Sequence, residues 1–222
     1  MAVKYRKICF EDDFNRGQTY GTTPGMNGWT LEITGATPTI VNQNGGGVKL
    51  TLTSTSEAQI CTLYQNDVLA IPFLGLQNIR FNAVVAGIDS VTTLVMGLAS
   101  AQNDTADSVA TNAWFRMQGS ASTTAVVTET DDGTTDNDDK ATGATLAAVS
   151  KEFMIDFSHG PSDIRFFIDG QPVSTSTTFS MAAATSSTYV QPFFQLQKGS
   201  GTGVPSVTIG CIEVNYTKAL GA

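Results

Sequence analysis

The residues most able to do chemistry crowd into one short run. Between Glu129 and Asp139 the chain reads ETDDGTTDNDD, with six carboxylates at Glu129, Asp131, Asp132, Asp136, Asp138 and Asp139. Two carboxyls about 5 Å apart can hydrolyse a glycosidic bond with retention, and alternate residues of one strand supply that spacing. Glu129-Thr130-Asp131 has the alternation. The third acid expected three residues past Asp131 is replaced by Thr134, and the flanks are Asp and Gly rather than apolar strand residues. Calcium chemistry asks for roughly six to eight oxygen ligands. An EF-hand register begun at Asp136 places Lys140 where a ligand belongs, and one begun at Asp132 places Thr134 there, with no Glu to close the loop. Like charges at this density repel, so the run reads as a solvated loop without a catalytic or metal-binding role.

Other candidates are weaker. His159 is the only histidine and lies in the turn His159-Gly160-Pro161. No Gly-x-Ser-x-Gly element accompanies it, so a Ser-His-Asp triad has no frame. Gly199-Ser200-Gly201-Thr202-Gly203 precedes no helix and reads as a hairpin loop, not a phosphate cradle. Trp29 and Trp114 could stack on sugar rings, but strand tryptophans more often belong to a core. No enzyme activity and no cofactor are expected from these residues.

The elements that must position these groups are strands. Phe153, Ile155 and Phe157 alternate with Met154 and Asp156, a turn follows at residues 159–163, and Ile164–Ile168 resumes before Asp169-Gly170. Asp-Gly between extended runs marks a hairpin, so Lys151–Val173 is expected as a three-stranded meander. Val48, Leu50 and Leu52 oppose Lys49, Thr51 and Thr53 in another strand, and Val91–Leu98 is apolar enough to be buried on both faces. Strands are also expected at Trp29–Ile33, Ile60–Tyr64, Ile79–Val85, Trp114–Met117 and Ala125–Thr128. Residues 99–112 read as a long loop or a single helical turn, and residues 141–149 leave room for a short helix. Pro192 pushes the strand Val190–Gln197 toward an edge or bulge. A parity switch at Gly210-Cys211 predicts a β-bulge in the final strand, Val207–Tyr216. About twelve strands and no long helix result, in one domain over residues 1–222 with an N-terminal arm at residues 1–8.

Composition narrows the partners. Net charge is −8 with a pI near 4.5, which argues against nucleic acid and anionic lipid. No run is long and apolar enough for a membrane span or a secretory signal, so synthesis in a cytosol is expected. Cys9, Cys61 and Cys211 form no CxxC pair and read as buried free thiols of a reducing compartment, one bridge being left open.

Three pieces carry a resemblance. Asp12-Asp13-Phe14-Asn15 followed by Gly28-Trp29-Thr30, the run Ile164–Gly170, and the closing strand Val207–Tyr216 resemble concanavalin A-like (laminin G-like) jelly rolls. The resemblance implies an all-β fold, an antiparallel two-sheet jelly-roll sandwich whose last strand returns beside the first. Gly97–Asp104, Glu129–Gly133 and Gln195–Gly201 further resemble jelly-roll proteins of tailed bacteriophages encoded near capsid genes. That likeness implies a capsid decoration (cement) protein of the virion surface. It would be a homo-oligomer, trimeric on the shell, that binds the major capsid protein. Lys4, Arg6 and Lys7, three of only twelve cations in an acidic chain, are then the candidate capsid contact. The alternative on the same fold is a carbohydrate-binding module or tail-associated lectin, which predicts exposed aromatic side chains on a concave sheet face. A glycanase is a third reading.

Overall fold

The computed structural model describes residues 5–15, 17, 19–68 and 71–219. Sixteen strands alternate with short turns among them. They are β1 (Tyr5–Asp12), β2 (Thr30–Gly35), β3 (Thr39–Asn42), β4 (Val48–Thr51), β5 (Gln59–Tyr64), β6 (Ile71–Pro72), β7 (Leu76–Ala86), β8 (Thr92–Ala99), β9 (Asn112–Gln118), β10 (Ala125–Asp131), β11 (Asp136–Thr145), β12 (Lys151–Asp156), β13 (Arg165–Ile168), β14 (Gln171–Val173), β15 (Tyr189–Lys198) and β16 (Ser206–Ala219). The only helical pieces described are three-residue 3-10 turns.

All strand pairs are antiparallel and form two sheets. One has the order β14-β13-β12-β7-β16-β4-β3, with β1 also on β16; the other has the order β11-β10-β9-β8-β15-β5-β2, with β6 also on β15. The expected meander is present as β12, β13 and β14. Strand β16 returns beside β1 over the whole of Tyr5–Asp12. Residues 5–8, read from sequence as part of an arm, are thus the first half of a sheet strand. The bulge at Gly210-Cys211 is real: Ile209 opposes Ala83 and Ile212 opposes Phe81, so the two residues between them face Asn82 alone. It separates the stretch of β16 paired with β4 from the stretch paired with β1. Gly47 makes this junction possible, since its φ is +98° and a Cβ there would lie 2.8 Å from the Ile209 carbonyl oxygen.

Two expectations from local pattern give way to tertiary context. Strand β15 is central, not an edge, and Pro192 is tolerated because it falls in a gap. Tyr189 and Val190 pair with β6, while pairing with β5 begins at Phe193. The stretch 136–145 is strand β11 rather than a loop followed by a short helix, because β10 offers it a free edge to pair with.

The core lies between the sheets, where Phe81 and Phe153 of one meet Phe115 and Phe194 of the other. The Phe115 and Phe153 rings sit 4.9 Å apart and the Phe81 and Phe194 rings 5.2 Å apart, both edge to face. Trp29 is fully buried here, its indole N–H donating to Asp12 Oδ2 at 2.7 Å. Asn27 and the Phe14 amide also donate to Asp12, which ties together the two motifs near the N-terminus. Of the cysteines, Cys61 is buried as expected, but Cys9 and Cys211 are exposed; all three are free thiols.

Candidate functional site

Strand alternation gives the second sheet two faces. Phe115, Met117, Leu94, Met96, Phe194, Leu196, Cys61 and Leu63 point into the core, so the residues between them point outward. Antiparallel register lines the outward ones up in rows across the strands. One row runs Glu129, Trp114, Gly97, Phe193, Tyr64, Thr30, from β10 to β2. A neighbouring row runs Val127, Arg116, Val95, Gln195, Thr62, Glu32.

The first row depends on Gly97. The Trp114 and Phe193 rings stack across it, centroids 6.1 Å apart and planes at 28°. A Cβ on Gly97 would sit 2.7 Å from Trp114 Cα and 2.4 Å from the Ala113 carbonyl oxygen, so no larger residue fits between the rings. Trp114 is as buried as Trp29, but not in the sandwich core. It belongs to a second cluster with Tyr64, Val95, Ala99 and Phe193, covered by Ala106 and Val109 of the segment between β8 and β9.

At the β9–β11 end the outward face opens into a pocket of about 190 Å³, lined by Asp107, Arg116, Gln118, Glu129, Asp131, Asp136, Asp138 and Asp139. Arg116 forms its floor and is nearly buried. Its Nη1 lies 3.0 Å from Glu129 Oε2 and 2.7 Å from Asp107 Oδ1, and its Nη2 donates to Asp107 Oδ2 at 3.3 Å. Asp139 stands 3.9 Å away, and the Arg116 Nε–H has no partner. Burial opposes the guanidinium charge, but Glu129 and Asp107 outweigh it, and the pKa of Arg116 goes up. Glu129 is only 2% exposed. Burial pushes its pKa up to about 7, against the pull of Arg116 and the nearby Trp114 indole. That indole N–H points toward Glu129 without reaching hydrogen-bond geometry. Desolvation and a hydrogen bond with Asp138 raise Asp136 to about 6.

The run 129–139 is therefore not the solvated loop expected from charge repulsion alone. Glu129 and Asp131 end β10, while Asp136, Asp138 and Asp139 begin β11; Arg116, from the next strand, offsets part of their charge. Asp131 and Asp132 accept backbone N–H bonds within the turn, and Asp132 also accepts from the Ala183 amide at 2.8 Å. Among the described residues no three Asp, Glu, His or Cys side chains converge to hold a metal ion. The signal that could have found this site is Arg116 itself, the only Lys or Arg between Arg80 and Lys140.

The candidate capsid contact lies elsewhere. Arg6 and Lys7 are exposed on β1 of the other sheet, opposite Lys218 and Thr217; Lys4 lies outside the described residues. His159 is half-exposed, 3.9 Å from Asp156. Neither tryptophan is exposed, so neither supplies the open aromatic surface that the lectin alternative predicts.

No protein-family model matches the chain. No curated protein matches it either. Solved structures do. A Bacteroides ovatus GH16 protein of a mixed-linkage glucan locus, in complex with its product, aligns over 92% of this chain and 99% of its own at TM-score 0.62 and 12% identity. The fold is the concanavalin A-like jelly roll. A Bacillus licheniformis β-glucanase aligns over 95% of this chain and 98% of its own, at TM-score 0.58 and 15% identity. The carbohydrate recognition domain of Emp46p aligns over 85% and 88%, at TM-score 0.57 and 11% identity.

Proposed function

We propose that this protein is a carbohydrate-binding module that recognises an uncharged oligosaccharide, without cleaving it, at the pocket on the β9–β11 end of its second sheet. The observation that carries this reading is the pocket's chemistry: six acids gathered around one buried guanidinium whose Nε–H is left without a partner. Carboxylates are strong acceptors for sugar hydroxyls, and a fixed guanidinium donates to ring or hydroxyl oxygens. The acid excess repels anionic sugars, which selects for neutral ones. The fold is shared with proteins whose names state glucan cleavage or carbohydrate recognition, and this favours the glycan alternative over capsid decoration, which rests on sequence resemblance alone.

Binding is proposed without turnover because of Glu129. A general acid must come within hydrogen-bond reach of the bond it protonates. Glu129 lines the pocket but is almost wholly buried, and its Oε2 is held by Arg116. Titration calorimetry with linear β-glucan oligosaccharides tests the reading. Saturable binding that weakens at least tenfold in Asp138→Asn, with no release of reducing ends, supports it. Release of reducing ends that disappears in Glu129→Gln overturns the non-catalytic reading, and a glycan array without hits overturns recognition altogether.

A further inference from the structure

We propose that the segment Ser100–Thr111 is a displaceable roof over a second sugar-binding subsite, built on Trp114 and Phe193, that continues the acidic pocket along the same sheet face. The proposal rests on the glycan-binding reading above and adds where the rest of the oligosaccharide lies. Among the described residues six buried side-chain polar atoms lack a hydrogen-bond partner, and five of them, Thr30 Oγ1, Asn112 Oδ1, Trp114 Nε1, Arg116 Nε and Gln195 Oε1, belong to outward-facing residues of this one sheet. A buried polar atom without a partner is costly, so native folds rarely concentrate them. Their concentration on one face marks where a hydroxyl-rich ligand would find donors and acceptors.

The cover itself is slight. Its apolar contribution is Ala106 and Val109, set on the Trp114–Phe193 stack. Its polar anchors are Asp107 on Arg116, the Asn103 carbonyl accepting from Gln195 Nε2 at 2.8 Å, Asp104 accepting from Thr34 at 2.9 Å, and the Gln102 amide donating to Asp67 at 2.8 Å. It holds one 3-10 turn and no strand pairing of its own, and its ends are clasped by the Ser100 amide on the Thr111 carbonyl at 2.8 Å. Loops of this compact kind are frequently functional, and opening and closing of loops over binding sites is a common gating motion. A pyranose offers what the roof lacks. Its C–H face can lie on the indole, and its rim of hydroxyls can both donate and accept, reaching the Trp114 N–H, the Gln195 and Asn112 carbonyl oxygens and the Arg116 Nε–H. Only such a difference in affinity between the roofed and open states can shift the balance toward opening.

The test compares the wild-type chain with a variant in which residues 102–109 are replaced by Gly-Ser-Gly, both titrated with a linear β-glucan tetrasaccharide. The trimmed variant is expected to bind at least tenfold more tightly and to lose that gain on Trp114→Ala. Hydrogen exchange in residues 100–111 of the wild type is expected to rise when the tetrasaccharide is added. This second measurement keeps the proposal falsifiable if the trimmed chain does not fold. Equal affinity of a folded trimmed variant, or exchange that falls or stays constant, overturns the roof while leaving recognition at the acidic pocket standing. Absence of binding by both proteins overturns the roof and the glycan reading together.

Discussion

Two nearly buried cations show how differently the same fold can treat a charge. Lys198, the last residue of β15, is 2% exposed and its ammonium is enclosed by four backbone carbonyls, those of Thr53, Thr55, Gly201 and Gly203. Gln59, its partner across the strands, grips Thr53 and Thr55 as well. The cage is neutral and does not titrate, and it pins two loops to the sheet end. Arg116 instead has an excess of acids around it and one N–H with no partner. A saturated cation is scaffold. A cation left partly unsatisfied beside an opening is a place for a ligand to finish the coordination.

Removing each cation sharpens that contrast. Lys198→Met leaves four carbonyls without their donor, and should lower unfolding free energy by about 3–5 kcal/mol in a urea titration. A loss below about 1 kcal/mol would break the comparison, because the cage would then carry no structural weight. The pH response comes next. Glu129 is raised from 4.5 to about 7 in the fold, so the folded state holds its proton more tightly than the unfolded state does. Its contribution is fully present below pH 4.5 and fades as pH rises toward 7, by no more than about 3 kcal/mol. Glu129→Gln should flatten stability against pH across that window in thermal melts at matched ionic strength; an unchanged slope contradicts it.

Arg116→Met should cost less than the lysine change, about 2 kcal/mol at pH 7, and still less at pH 5. The reason is that Glu129 and Asp136 can take up protons once the cation is gone, an escape the carbonyl cage lacks. A pH-independent loss in chemical unfolding would remove this explanation. The smallest effect is expected at an exposed pair. Arg165 meets Asp163 at 2.6 Å in solvent, and Asp163→Asn should leave the melting temperature unchanged within error, since exposed ion pairs contribute little.

Much of the sandwich was legible because period-two alternation survives into the fold. The β4 pattern, the meander of β12 to β14, the doubly buried β8 and the bulge in β16 follow from residue order and turn chemistry alone. The pocket was not, since it is made by neighbours distant in sequence. Charge repulsion within 129–139 made a loop the natural expectation. Arg116 changes the sign of the argument, and only the register Arg116 opposite Val127 brings it beside Glu129. Trp114 shows the same limit. It was expected in the core; strand alternation instead turns it outward, and its burial there depends on the cover from residues 100–111. Pro192 read as an edge signal because sequence does not reveal that β5 and β6 leave a space beside it.

The strands that complete both layers, β15 and β16, are the last of the described strands in sequence order. β15 joins β8 to β5, and β16 joins β7 to β4 and β1. Until β15 and β16 have left the ribosome, each layer is three separate pieces with bare hydrogen-bonding edges, a form prone to pairing with other chains. Assembly must therefore wait for β15 and β16 to be made, and β1, which pairs with β16, waits longest for its neighbour. A chain cut short before Ser206 should accumulate as aggregate rather than as a smaller domain.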